Sequence, residues 1–306
     1  LERWVARGAV DPRTGDPTSG RKRGGADHWA FQPVQPGRVP VAAVSHANWS
    51  RTAIDRFVLA RLVDAGLVPS PPADRRVLIR RGTFDLIGLP PTPEQVAAFL
   101  ADNRPGAWGR LVDRLLGSPH YGARWGRHWL DVARYADSNG LDENVAYGNA
   151  WRYRDWVIDS LNADRPFDAF VRDQLAGDLG PKRTGESQRQ QHQRLIATGF
   201  LSLGPKVLAE VDAKKMEMDI VDEQVDTVGR TFMGLTLGCA RCHDHKFDPV
   251  STRDYYALAG VFQSTRTMEH FKKVARWWEN PIATAADQQR IETHKTRIAG
   301  KKAEID

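Results

Sequence analysis

The sequence predicts a mostly α-helical protein: an irregular multi-helix domain with long ordered loops. Apolar residues recur at helical spacing along much of the chain. A first example is the set Ile54, Phe57, Val58, Arg61 and Leu62, which we expect to form one buried helix face. Runs of alternating Val, Ile and Thr, the usual mark of strands, are nearly absent. We therefore expect helices packed on one another.

The amino-terminal part differs in composition from the rest. Residues 1–12 form an amphipathic pattern one or two helical turns long, and residues 13–27 are rich in Gly, Pro and charge, as linkers are. The chain begins at Leu1, with neither an initiator Met nor a signal sequence, and its last residues are typical of an unfinished helix. We expect a processed product or a fragment of a longer protein.

Residues 28–275 are expected to form one helical domain. The stretch "GLPPTPEQVAAFL" has a well-formed helix start, in which Thr92 caps, Pro93 takes the first helical position and Gln95 closes a capping box. Further helices are predicted near 107–117, 121–137, 150–162, 167–177 and 213–235. The polar stretch 182–194 is predicted to be an exposed loop that runs into the next element. Residues 276–306 predict the start of a charged helical or coiled-coil extension.

The charge of the chain excludes few partners. The formal net charge is +6, but the basic residues are scattered rather than clustered with aromatics, so we predict no nucleic-acid partner. Attraction to anionic glycans would explain the basic balance equally well. No apolar run approaches the length of about 20 residues that a membrane-spanning helix needs.

The stretch "LGCARCHDHKFDP", residues 237–249, contains both cysteines of the chain. C-x-x-C-H is the attachment signature of c-type haem. On this interpretation Cys239 and Cys242 form thioethers with the porphyrin, and His243 is the proximal ligand of the haem iron. Covalent haem is attached outside the cytoplasmic membrane, so it would also place the protein in the periplasm or another extracytoplasmic compartment.

Other interpretations of the same stretch stay open. Cys239, Cys242, His243 and His245 are chemically suitable zinc ligands, although four ligands within one short loop would be strained. Zinc that takes some of its ligands from elsewhere in the chain stays open. A redox-active C-x-x-C pair is a second alternative, but such pairs usually follow a strand. Two inert buried cysteines are a third.

A sixth haem ligand would have to come from elsewhere in the chain, and His128 is the best candidate. The residues expected to share its helix face are Trp125, Trp129 and Val132, so His128 should point with them into the core. A lone histidine on such a face is more often a hydrogen-bonded core residue than a ligand. Met233 and Met268 are weaker candidates, since methionines commonly fill cores.

The helix before the cysteines is predicted to be amphipathic. Its expected buried stripe is Met218, Val221, Val225, Val228 and Phe232, and its expected acidic face is Asp219, Asp222, Glu223 and Asp226. A solvated acidic face is the simplest interpretation. Clustered carboxylates also suit a hard cation such as calcium, but no EF-hand spacing is present.

The stretch "ARYADSNGLDENVAYGNAWRYRDW" has the mixture of planar donors and aromatic surfaces that binds sugars. We take Tyr147, Trp151 and Arg152 as candidate substrate-binding residues. Neighbouring polar candidates are Arg154, Asp137, Asp142 and Glu143. A hydrogen-bonded loop between two helices explains the same residues. No G-x-S-x-G, Walker or H-E-x-x-H motif supports a hydrolase or an NTPase.

Several long stretches together resemble a known family: "HWAFQPV", "AIDRFVLARL", "RRGTFDLIGLPPTPEQVAAFL", "LVDRLLGSPHYGARWGRHWLDVARYADSNG", "WRYRDWVIDSLNADRPFDAFVRDQLAGDL" and "FMGLTLGCARCHDHKFDPVSTRDYYALAGVF". They look like the central domain of the planctomycete-type cytochrome c proteins, a domain of unknown function, over residues 28–270. Residues 1–12 resemble the end of the preceding cytochrome c domain, and the charged tail resembles a helical insertion before the next one. Gly82 stands where a larger residue is expected.

The resemblance implies an exported, haem-associated multidomain protein whose partners are an adjacent cytochrome c domain and a carboxy-terminal domain. Such proteins occur in organisms that degrade complex polysaccharides, but the resemblance supplies no reaction and no catalytic residue. The leading prediction is an exported c-type haem-binding electron-transfer module, linked to polysaccharide breakdown. The alternatives are a carbohydrate-binding or carbohydrate-acting domain, with an anionic polysaccharide as partner, and a zinc-stabilised structural module.

Overall fold

The structure is a computed structural model that describes residues 28–41, 48–141, 143–181, 184–271 and 274–304. This part of the chain is mostly helical, as predicted. Its α-helices are α1 (Ala53–Asp64), α2 (Arg75–Ile87), α3 (Pro93–Ala101), α4 (Ala107–Leu116), α5 (Pro119–Val132), α6 (Ala150–Asn162), α7 (Phe167–Ala176), α8 (Gln188–Ala197), α9 (Ala213–Val228), α10 (Thr252–Gln263) and α11 (Ala285–Ala303). Two short strands, β1 (Met268–His270) and β2 (Arg276–Trp277), pair antiparallel. The predicted segments 1–12 and 13–27, and Asp142, lie outside the described residues.

The helix start predicted at Thr92 is confirmed. The Thr92 hydroxyl accepts a hydrogen bond from the Gln95 backbone N–H (3.2 Å), and the Gln95 side chain accepts one from the Thr92 N–H (2.9 Å). The same reciprocal bonds join Ser251 and Asp254 at the start of α10. These caps satisfy backbone donors that have no partner inside the helix.

The main core lies where α6 to α10 meet. Its fully buried residues include Trp156, Phe200, Val225 and Tyr255, and Trp156 stacks on Phe170 with ring centroids 5.0 Å apart. A second core joins α2, α3 and α4. Its buried apolar residues are Ile79, Phe99, Ala107, Leu111 and Leu115.

Three glycines allow close helix packing. A Cβ on Gly82 would lie 2.9 Å from the Trp108 ring, so the larger residue expected there from the resemblance would not fit beside this tryptophan. A Cβ on Gly122 would lie 2.4 Å from the Ile158 carbonyl oxygen, and Gly126 is also buried. The side of α5 that faces α6 therefore consists largely of backbone.

This packing explains why one sequence prediction is wrong. The face of α5 with Trp125, His128 and Val132 was expected in the core, but Trp125 is 40% exposed, Val132 is 49% exposed and His128 is exposed too. The glycine side of the helix is buried instead. Only Trp129 of the predicted set reaches the core, where its indole N–H donates to Gln174 (2.9 Å).

The predicted buried face of α1 is also wrong. Leu59 is its buried residue, whereas Ile54, Phe57 and Val58 are exposed. None of the other described helices packs extensively over that face. Helical spacing alone could therefore not show which side of α1 is covered.

The polar stretch 182–194 is not a loop throughout. Ser187 caps α8 with Gln190, and α8 starts at Gln188. Arg194 is buried because its guanidinium pairs with both carboxylate oxygens of Glu186 (2.8 and 3.0 Å). The polar composition predicted that these side chains would be exposed to water, but the ion pair between Arg194 and Glu186 replaces water as the partner of both charges.

The amphipathic prediction for α9 is confirmed on its apolar side, where Val221, Val225 and Val228 are buried, while Met218 and Phe232 of the predicted stripe are only partly buried. Its acidic side is not a solvated face as predicted. All four carboxylates are partly buried and paired, with partners described below.

The exposed charged helix predicted at the carboxy-terminal end is present as α11, whose described side chains are all exposed or nearly so. Within the described ranges, no helix has the length and apolar character to span a membrane.

Candidate functional site

The Cys-x-x-Cys-His segment lies on the surface, directly after α9. That helix continues as a π turn, Gly229–Met233, and ends at Gly234, whose φ of +67° suits a residue without a side chain. A 3₁₀ turn, Leu237–Arg241, follows. Cys239 and Cys242 are both exposed free thiols. The segment thus exposes both of its sulfur atoms to solvent.

The acidic side of α9 holds this segment in place. Arg241, between the two cysteines, pairs with Asp219 (2.9 Å) and with Asp222 (3.2 Å). The backbone N–H of Gly238 donates to Asp226 (3.2 Å). Because each bond ties motif backbone or its arginine to one helix, the thiols are carried by a fixed turn.

Two tyrosines of α10 complete the anchor. The Tyr255 hydroxyl donates to Asp222 (2.5 Å), and the Tyr256 hydroxyl donates to the Arg241 carbonyl oxygen (3.2 Å). Burial, together with the bond to Asp222, raises the pKa of Tyr255 above its usual value. The hydroxyl therefore stays protonated and able to donate.

The two histidines of the segment differ sharply. His243 is exposed, and its Nδ1 lies 2.8 Å from the Asp244 carbonyl oxygen, so Nδ1 carries the proton and Nε2 is left with a free lone pair. His245 is buried and its Nδ1 accepts from the Asp248 N–H (2.9 Å). In the neutral ring Nε2 then carries the proton and donates it in a hydrogen bond to the Thr236 hydroxyl oxygen (3.0 Å).

This arrangement decides which groups could hold a cofactor. Cys239, Cys242 and His243 are each exposed, which suits covalent haem, because that group takes two thiols and one imidazole from such a motif. Both ring nitrogens of His245 are already used in hydrogen bonds. No three His, Cys, Asp or Glu side chains of the described residues form a ready metal site.

The candidates for a sixth ligand are dispersed. His128 is exposed on α5 and packs against Trp125, with ring centroids 5.5 Å apart. Met233 is 57% exposed at the end of the π turn, and Met268 is buried in a separate apolar cluster. Ligation by His128 stays a prediction.

A cavity of about 520 Å³ lies elsewhere on the molecule. Its lining residues come from three parts of the chain: 146–150 with 152 and 153, six residues between 195 and 203, and 277–282. Tyr147 and Arg152, two of the three predicted substrate-binding residues, are among the lining side chains. A volume of this size is typical of small-molecule sites.

The other sugar-binding candidates among the described residues do not reach the cavity. Trp151 is 44% exposed outside it, with the Arg152 guanidinium 4.5 Å from its ring centroid. Arg154 pairs with the neighbouring aspartate on the surface. Asp137 accepts a hydrogen bond from a tyrosine hydroxyl, and Glu143 accepts one from an asparagine side chain. The candidates therefore divide between the cavity and ordinary surface or loop contacts.

Sequence reasoning missed Trp277, Trp278 and Glu279, which form the third wall. The Trp277 ring packs nearly perpendicular to Tyr147, with centroids 5.7 Å apart, and the Asn149 side chain donates to Glu279 (3.3 Å). Adjacent tryptophans in a polar stretch, "RWWEN", were a usable signal.

A buried charge cluster lies behind the cavity. The Lys206 ammonium is fully buried, lies 2.7 Å from a Glu223 oxygen and donates to the Leu203 carbonyl (2.9 Å). Arg134 pairs with the other Glu223 oxygen. Burial lowers the pKa of Lys206 to about 8, although Glu223 opposes this shift. Lys206 also lies 5.3 Å from the Trp277 ring centroid.

Comparison with known proteins adds one finding. The family model PSCyt2, described as "Protein of unknown function (DUF1549)", matches residues 53–267, more than half of the chain. The Cys-x-x-Cys-His segment lies inside the matched range, whereas the cavity wall at 277–282 lies beyond it. Neither the curated proteins nor the solved structures contain a match.

Proposed function

The chain belongs to the PSCyt2 family of proteins of unknown function, and from this premise we propose that it is an exported electron-transfer module that carries one covalent haem c. Cys239 and Cys242 are the attachment points, and His243 is the proximal ligand. When bound, haem supplies an iron atom that exchanges single electrons. Attachment outside the cytoplasm makes the periplasm, or a comparable compartment, the site of action.

One observation carries this proposal: two free thiols and an imidazole with a free Nε2 are exposed on one anchored turn. The bond from His243 Nδ1 to the Asp244 carbonyl leaves Nε2 as the nitrogen that would face iron. The carboxylates of α9 neutralise Arg241, and their ion pairs hold the turn against that helix.

The decisive test is expression of the chain in a host that matures c-type cytochromes, followed by intact mass and a pyridine haemochrome spectrum. We expect a mass gain of one haem and c-type absorption bands. Cys242→Ala should lose one thioether and shift the bands, and His243→Ala should change the iron ligation. His294→Ala, on the exposed helix α11, is the matched histidine control and should behave as wild type.

A chain that leaves the maturing host with its apo mass would overturn the haem proposal. If elemental analysis then found bound zinc, the zinc-stabilised structural alternative would replace it. The other alternative, a carbohydrate-binding or carbohydrate-acting domain linked to polysaccharide breakdown, concerns the separate cavity and does not compete for the thiols.

A further inference from the structure

Several aromatic side chains line the cavity, among them Tyr147, Trp277 and Trp278. The Arg266 guanidinium lies 3.7 Å from the Trp278 ring centroid, but Trp278 is still 42% exposed, so part of its surface is available to a ligand. Tyr147 and Trp277 meet at an interplanar angle of 74°. Flat aromatic surfaces pack well against the C–H faces of rings that carry polar groups at their edges.

The polar groups of the lining include both donors and acceptors. Arg152 carries only donors, Glu279 carries only acceptors, and Asn149 and Asn280 carry both. Some of these groups already bond one another along the wall: the Arg152 Nε–H donates to the Asn149 Oδ1, and the Asn149 Nδ2–H donates to Glu279. A hydroxyl group both donates and accepts, so a polyhydroxylated ring can satisfy this mixture better than a purely anionic or purely apolar ligand. The Trp277 indole N–H, buried in the same wall, has no hydrogen-bond partner in the structure.

The lining also limits the chemistry. Among the described residues that line the cavity, Glu279 is the one carboxylate. Hydrolysis of a glycosidic bond generally uses two carboxyl groups, about 5 to 9.5 Å apart on either side of the bond. The cavity thus has the composition of a binding site rather than of a glycosidase.

We propose that this cavity binds a short saccharide and does not cleave it. The ring packs on Trp278, while Arg152 and Glu279 bind its hydroxyl groups. The inference does not depend on haem attachment, because no residue of the Cys-x-x-Cys-His segment lines the cavity. Nor does it follow from family membership, since the third wall lies outside the matched range.

The test uses the whole chain on an array of neutral and uronic-acid oligosaccharides, followed by titration calorimetry with the best binder. Trp278→Ala and Arg152→Ala should each weaken binding about tenfold, as expected for loss of an aromatic or charge-assisted contact. Trp125→Ala is the matched control, because Trp125 is a 40% exposed tryptophan on α5 that does not line the cavity. Circular dichroism should show that all three variants keep the wild-type helix content.

Binding that both cavity variants weaken, and that the control keeps, would support the proposal. The array then also separates neutral from uronic-acid ligands. An array without any signal, or binding that is lost equally in the control, would overturn it. Release of shortened products during a long incubation would overturn the claim that the site does not cleave its ligand.

Discussion

The buried charge cluster behind the cavity gives the sharpest prediction about stability. Glu223→Gln keeps the shape of the side chain but removes the charge that Lys206 and Arg134 share. The side chains of Glu223 and Arg134 are 19% exposed and that of Lys206 is not exposed at all, so little water can replace the lost partner. Breaking a buried pair in this way costs about 3–5 kcal/mol of unfolding free energy. For a domain of this size we expect Tm to fall by about 10 °C.

Lys206→Met is the matched variant. It leaves the pair between Arg134 and Glu223 intact and deprives the Leu203 carbonyl of one donor, so the expected cost is only about 1–2 kcal/mol. Urea unfolding followed by circular dichroism measures both variants. Equal losses for the two variants would contradict the idea that Glu223 holds two cations.

The same lysine makes stability depend on pH. Because burial lowers its pKa to about 8 in the folded protein, against 10.5 for a free lysine, Lys206 releases its proton first in the folded state. Between pH 8 and 10.5 the unfolded chain binds more protons, so the stability contribution of Lys206 rises with pH and is lost below pH 8. From pH 8 to 10, wild type should gain about 2 kcal/mol relative to Lys206→Met. Parallel pH profiles would refute this reasoning.

Three further predictions concern packing, capping and the anchored turn. Gly122→Ala should lower the free energy of unfolding by at least about 2 kcal/mol, because the new Cβ would collide with α6. Its control, Gly109→Ala, adds a Cβ in open space on α4 and should be neutral or slightly stabilising. Thermal melts that rank the two variants the other way would contradict the packing. Thr92→Ala should cost about 1 kcal/mol in urea unfolding through loss of the capping box, and an unchanged midpoint would deny the cap its role. Arg241→Lys should cost about 1 kcal/mol in urea unfolding, because a lysine cannot bridge two carboxylates as a guanidinium does. Its control, Arg253→Lys, changes an exposed arginine and should cost nothing measurable. Equal effects of the two substitutions would contradict the role of Arg241 in anchoring the turn.

Local signals in the sequence predicted local structure well. The capping residues around Thr92 and the apolar stripe of α9 need only neighbouring residues to act, and both are present. Faces were predicted less well, because burial depends on what packs across a helix. Glycine spacing on α5 was the missed clue, since Gly122 and Gly126 leave room for the backbone of α6 to approach.

The candidate sites follow the same rule. The accessible thiols belong to one contiguous motif, so the sequence could propose that site, although it could not show that Arg241 reaches back to α9. The cavity gathers three distant parts of the chain, and only Tyr147 and Arg152 could be proposed from one of them. Trp278 required the fold, because the β1–β2 pair brings its segment to the cavity.

The position of the β1–β2 pair also sets the order in which the sites are completed as the chain emerges. The anchored turn and its partners all lie between Asp212 and Gln263, from the cap of α9 to the end of α10. The cavity needs residues 277–282, which come later. During synthesis, the thiol-bearing turn can therefore reach its final form while the cavity still has only two walls. Trimming the chain after α10 would remove the third wall of the cavity without removing any bond that anchors the turn.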